Sequence, residues 1–169
     1  ALGGAQRNVE AHDQARVDVG SRVELVHADA RTVAEPGAPL ARLAGQVAVV
    51  VTNPPYIPAG MIPREPEVRD HEPAAALYGG DDGMDVVRPL LRTAAVLLRP
   101  GGLLVIEHAD VQGNDAGLKG VPGLVKAMLS DHDRGVSANL PVGRPVWTDV
   151  ADRLDLARRP RFTVARRAT

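Results

Sequence analysis

The stretch Val47-Ala48-Val49-Val50-Val51-Thr52-Asn53-Pro54-Pro55-Tyr56 decides how the rest of the chain is read. Its first five residues are small and mostly β-branched, which predicts a fully buried parallel strand. Pro54 and Pro55 lack an N–H, and each biases its predecessor toward extended backbone, so neither helix nor strand continues through them. The result is a stiff turn at the carboxyl end of a strand, where open α/β sheets place their ligands. The Asn53 carboxamide and the Tyr56 phenol flank that turn.

Such a turn suits methyl transfer to a planar amide or amino nitrogen. The lone pair of that nitrogen is delocalised, so it is a poor nucleophile. The Asn53 side-chain oxygen and the Pro54 carbonyl can both accept from one NH₂ group, fixing its plane and leaving a face open to attack. Pro55 has no N–H to compete, and the Tyr56 ring can pack on the planar group. Catalysis would then be positioning and electrostatic preorganisation, with no obligatory base. The plain structural alternative is a strand-terminating turn with a packed tyrosine.

Working outward, residues 1–12 have helical composition weakened by Gly3-Gly4. Val23–His27 alternates apolar and polar residues as a short strand does. Asp29 follows it, as a helix N-cap or as an acceptor for an exocyclic amine such as that of adenine. Ile57 to Gly83 reads as a long proline-rich loop, a length usually tied to function or disorder. Within it, Glu67-Val68-Arg69-Asp70-His71-Glu72-Pro73 is near enough in sequence to fold back over the turn, or else is a solvated charged loop. Asp81-Asp82-Gly83 reads as a turn, because later ligands at calcium-loop spacing are missing.

Asp85–Leu98 has helical spacing, with Pro89 tolerable in its first turn. Arg99–Gly102 is a turn with the wrong strand and helix order for a phosphate loop. Leu103–Glu107 is a second buried strand. Glu107-His108 at its end could face a pocket, but packing at the core edge is the simpler reading. A helix around Leu124–Leu129 lies in the glycine-punctuated stretch Gly113–Gly143. Val146–Val150 and Phe162–Arg166 read as strands, able to pair antiparallel at one edge of a mostly parallel sheet.

At 169 residues the chain has length for one domain. Its formal charge of −1 supplies no basic excess for a nucleic-acid partner. Lys119 and Lys126 are the only lysines, and the arginine, alanine and valine usage reflects a GC-rich coding bias. Cysteine is absent, so there is neither a disulfide framework nor a thiolate metal site. His12, His27, His71, His108 and His132 contain no i,i+4 pair, and metal is not expected. No apolar run approaches the roughly 20 residues of a membrane helix, and a cytoplasmic protein is expected. The chain begins Ala1-Leu2-Gly3 without methionine, as a fragment, a processed protein or a trimmed one would.

NPPYIP, EVRDHEPAAALYGGDDGMDVVRPLL, LLRPGGLLVIEHADVQG and DLARRPRFTVARR together resemble the HemK/PrmC protein-(glutamine-N5) methyltransferases, most of all the actinobacterial ones. The resemblance runs, with gaps, from Ala1 to Arg167. It implies a Rossmann-like methyltransferase fold, S-adenosylmethionine as donor, and peptide chain release factors as substrate. The acceptor would be the glutamine amide of their Gly-Gly-Gln loop. Asn53, Pro54, Pro55 and Tyr56 would hold that amide, while Asp29, Ala30 and Asn53 would lie near the donor. Arg158 departs from the usual Gly or Asn, and Gly113–Gly143 is longer than usual.

The family's first two strands, its glycine-rich donor loop and its small helical domain have no counterpart here. Residues 1–169 are thus expected to be a partial catalytic domain, whose remaining strands cannot form one continuous sheet. The alternatives are an adenine-N6 methyltransferase of DNA or RNA, and an inactive truncated homologue.

Overall fold

A computed structural model describes residues 2–14, 23–63, 66–128 and 143–169. His132, Leu129 and the rest of the glycine-punctuated stretch from 129 to 142 lie outside the described residues. The order of elements is α1 (Leu2–Gln14), β1 (Val47–Thr52), α2 (Pro66–His71), α3 (Ala74–Leu77), α4 (Val87–Leu97), β2 (Leu98–Glu107), α5 (Val121–Ala127), β3 (Trp147–Leu154) and β4 (Pro160–Arg167). Short 3₁₀ turns at Ala41–Leu43, Asp110–Gln112 and Asn114–Lys119 fill the connections.

The strands form one four-stranded sheet in the order β1-β2-β4-β3. β1 runs parallel to β2, with Val50 opposite Leu104 and Val51 opposite Val105. β4 pairs antiparallel with β2 and with β3, giving the expected antiparallel pair at one edge. This α/β architecture corrects the expectation that the sheet would be discontinuous. The segment that would have been cut off, Val23–His27, is not a strand at all. Alternation alone does not make a strand: its N–H and C=O groups need a paired neighbour. β1 is accordingly an edge, and Val49 and Val51 are 49% and 72% exposed instead of fully buried.

The Arg99–Gly102 turn also resolves differently, as part of β2. Val47 pairs with Leu98 and Val49 with Leu103, so these four residues bulge from the ladder. In α4, Pro89 falls in the first turn, where its missing N–H costs nothing. One face of this helix supplies Val87, Leu90, Leu91, Ala94 and Ala95 to the core. They meet Leu104, Ile106 and Ala165 of the sheet and Val121 and Val125 of α5. That packing anchors the carboxyl ends of β1 and β2, where the site lies.

The β3–β4 turn carries a mark of strain. Arg158 adopts φ 61°, the conformation that Gly or Asn takes readily and a long side chain does not. The turn closes around it, with the Arg158 N–H donating to the Asp155 carbonyl at 3.0 Å. Arg158→Asn is expected to stabilise by about 0.5–1 kcal/mol, raising the thermal midpoint by about 1–4 °C. Calorimetry of the two proteins checks this, and an unchanged or lower midpoint refutes the strain.

Candidate functional site

The Asn53–Tyr56 turn follows directly on β1 and opens on a cavity of about 510 Å³. Pro54 is buried and Asn53 is exposed, so the prolines brace the turn while the carboxamide is presented. Among the described residues nothing hydrogen-bonds the Asn53 side chain. The Tyr56 hydroxyl donates to Glu107 Oε1 at 3.0 Å, tying the end of β1 to the end of β2. Glu107 in turn lies 3.4 Å from Arg161 Nε. Glu107 thus faces the cavity, the role set aside in favour of core-edge packing, whereas His108 is the buried member of that pair.

Two further sets of residues hold the turn, and sequence reasoning gave neither this role. Gln112 is 3% exposed. Its Nε2 donates to the Tyr56 carbonyl at 2.8 Å and to the Asp82 carbonyl at 3.3 Å. Its Oε1 accepts from the Ala109 N–H at 3.0 Å, so the buried amide is well satisfied. The second set is Gly79 and Gly83. A Cβ on Gly79 would stand 2.6 Å from the Pro55 carbonyl oxygen, and one on Gly83 2.1 Å from that of Tyr56. The YGGDDG loop therefore packs backbone to backbone on the NPPY turn, which only glycine allows. Asp82 completes this loop by accepting from the Met84 N–H at 3.0 Å and pairing with Arg88, whose guanidinium holds the Asp82 carboxyl below its ordinary range.

The long connection from Ile57 to Gly83 is more ordered than its composition predicts, since α2 and α3 lie within it. Ile57 donates to the Leu77 carbonyl at 2.9 Å and accepts from the Gly79 N–H at 3.0 Å. These bonds fold the segment back, and Val68 and Glu72 line the same cavity as Asn53. The charged VRDHEP stretch is therefore a wall of the site. Across from it the β3–β4 turn contributes Asp155 and Arg159. The Arg159 N–H and guanidinium keep the Asp155 carboxyl below its usual range. With Glu72, Glu107 and Asp110 the lining has four carboxylates against two guanidiniums.

Asp29 and Ala30 are not brought into this cavity. Both are exposed, and Arg31 grips the Asp29 carboxylate through its side chain and its N–H. Those bonds lower the Asp29 carboxyl to about 2. The segment is tied to α4 by Thr93 Oγ1, which donates to the Arg31 carbonyl at 2.8 Å. With residues 23–27 outside the sheet, nothing carries Asp29 to the sheet's carboxyl edge. Around this cavity the described residues therefore supply only Asn53 of the three expected near a nucleoside methyl donor. Asn53 could border one, whereas Asp29 lies outside the cavity and is paired with Arg31. No three His, Cys, Asp or Glu residues converge among the described residues, and no described helix is long and apolar enough to cross a membrane.

The site is thus a strand-end carboxamide braced by prolines on an α/β sheet. No family model matches the chain, but individual relatives do. It is 43% identical to the release factor glutamine methyltransferase of Streptomyces coelicolor, over 99% of this chain and 47% of that protein. The enzyme of the same name from Mycolicibacterium smegmatis is 41% identical, over 88% of this chain and 43% of the relative. A 4-amino-L-phenylalanine/4-methylamino-L-phenylalanine methyltransferase from Streptomyces pristinaespiralis is 43% identical, over 64% and 33% respectively. The chain is a homologue of the release factor glutamine methyltransferases, and it spans about half the length of the curated relatives it matches.

Proposed function

We propose that residues 1–169 form the acceptor side of an S-adenosylmethionine-dependent protein-glutamine N-methyltransferase. Its substrates would be peptide chain release factors, methylated in the cytoplasm on the glutamine of their Gly-Gly-Gln loop. The observation that carries this reading is the Asn53 carboxamide, exposed at the cavity and held on a turn whose other carbonyls are committed. The Tyr56 carbonyl is bonded to Gln112, and the Pro55 carbonyl is packed on Gly79. Asn53 Oδ1 and the Pro54 carbonyl would accept the two hydrogens of the substrate amide and hold its plane. Tyr56, its hydroxyl anchored on Glu107, would offer its ring as the packing surface.

S-adenosylmethionine would supply the methyl group. Asn53 would border it, and most of its remaining contacts are assigned to residues outside this cavity. This makes the chain a partial catalytic domain and leaves positioning of the acceptor as its chemical contribution.

A second reading comes from the relative named for 4-amino-L-phenylalanine. An aniline NH₂ is also planar and would suit the same pair of acceptors. The adenine-N6 reading is disfavoured by the cavity, because four carboxylates in the lining repel a phosphate backbone. Labelled donor offered to the intact protein with release factor, 4-amino-L-phenylalanine or DNA separates these. Label in the release factor glutamine is expected. Label confined to the amino acid or to DNA would falsify the leading assignment, and folded protein that labels nothing supports an inactive homologue.

A further inference from the structure

Behind the acceptor turn, the end of β2 buries a pair of ionisable side chains that the proposed chemistry does not use. His108 is completely buried and the Asp152 side chain is 5% exposed, with His108 Nε2 facing Asp152 Oδ1 at 3.4 Å. The other ring nitrogen, Nδ1, lies 2.9 Å from the Ala109 carbonyl oxygen. A carbonyl can only accept, so Nδ1 carries a hydrogen. Nε2 and Oδ1 are both buried, and among the described residues neither meets a hydrogen-bond partner in full geometry, so each is the other's nearest polar neighbour. Polar atoms shut off from water this way are costly unless they serve each other.

The surroundings of this pair are equally defined. Asp152 Oδ2 accepts from the Asn114 N–H at 2.8 Å. Thr163, opposite Asp152 on β4, adds a buried hydroxyl. The Arg161 carbonyl accepts from the His108 N–H at 2.9 Å, and the Arg161 guanidinium is directed at Glu107. Asp110 follows in the 3₁₀ turn.

The contacts continue without a gap to the acceptor turn. The Ala109 carbonyl that receives His108 Nδ1 also accepts from the Gln112 N–H at 2.9 Å. The Ala109 N–H is bonded to Gln112 Oε1, and Gln112 Nε2 to the Tyr56 carbonyl. We propose that His108 and Asp152 are positioning residues for the acceptor site. The His108 ring, backed by Asp152, fixes the Ala109 peptide, which fixes the Gln112 amide, which holds the Asn53–Tyr56 turn. The proposal rests on the acceptor-site reading above, yet one of its readouts needs no activity.

The test compares Asp152→Asn with the double variant His108→Phe, Asp152→Leu in the intact protein. In Asp152→Asn the new amide can donate to Nε2 while its oxygen still accepts from Asn114, so the link survives. The double variant replaces both partners by apolar side chains, a change a buried pair tolerates without unfolding, but it removes the hold on Ala109. Hydrogen exchange of the Gln112 side-chain amide, followed by NMR, is expected to stay within about twofold in Asp152→Asn and to quicken about tenfold or more in the double variant. Turnover should follow the same order, with kcat falling about tenfold in the double variant while KM moves less than about threefold. A folded double variant that keeps Gln112 protection and kcat overturns the proposal. So does an Asp152→Asn protein that loses them. Loss of Gln112 protection with no glutamine methylation in any variant would leave the positioning role standing and count against the substrate assignment alone.

Discussion

Asn53→Ala is expected to lower kcat for glutamine methylation by about a hundredfold while leaving the thermal midpoint where it is. Asn53 is exposed, and its side chain makes no hydrogen bond among the described residues, so folding loses less than about 0.5 kcal/mol when it is truncated. Turnover loses more, because one of the two acceptors that fix the plane of the substrate amide is gone. A hundredfold corresponds to about 2.7 kcal/mol of lost transition-state stabilisation, the scale of one preorganised polar contact. KM should change less than kcat, since an amide held by the Pro54 carbonyl alone still binds but rotates. Asn53→Asp keeps an acceptor oxygen and is expected to lose only about tenfold. Steady-state kinetics beside a melting curve decides the matter: a folded Asn53→Ala protein with unchanged turnover removes Asn53 from the mechanism.

The contrast between Asn53 and its supports shows what a sequence can disclose. β1, its proline stop and the presented asparagine are local features, set by residues within ten positions of one another, and they are found where the pattern places them. The antiparallel β3–β4 pair is likewise joined by a short turn and was readable. Val23–His27 is different, because its alternation describes a strand only if another strand lies beside it, and β1 does not pair with it. The same dependence explains Val49 and Val51, whose apolar character matches a central strand while their place in the sheet is an edge. Gln112 escaped for a further reason. A lone glutamine 56 positions from its partner leaves no periodic trace, and its importance arises only when folding brings it beneath the Tyr56 carbonyl. Glu107 had a visible hint, a carboxylate at a strand's carboxyl end, but no local rule says whether such a residue faces the core or a cavity.

Gly83→Ala should be the most damaging single substitution in the supporting shell, costing about 3 kcal/mol of stability and lowering the thermal midpoint by about 6–12 °C. Part of that cost is conformational. Gly83 has φ 77°, and an L side chain there loses about 1–2 kcal/mol. The rest is collision, because the new methyl would lie 2.1 Å from the Tyr56 carbonyl oxygen and 2.5 Å from Gln112 Nε2. Those two atoms are the acceptor and donor of one hydrogen bond, so the methyl can be accommodated only by pulling that bond apart. Gly60 provides the control, since a Cβ there meets nothing within 4 Å and its alanine variant should melt with the parent protein. Displacing the Tyr56 carbonyl also moves the Pro54 and Asn53 acceptors just upstream. A shift of about 1 Å suffices for a further loss of about a hundredfold in kcat in whatever fraction stays folded. Melting curves and kinetics of Gly83→Ala and Gly60→Ala, run together, separate close packing on the acceptor turn from a general intolerance of loop substitution. Equal midpoints for the two would show that the YGGDDG loop does not clamp the site.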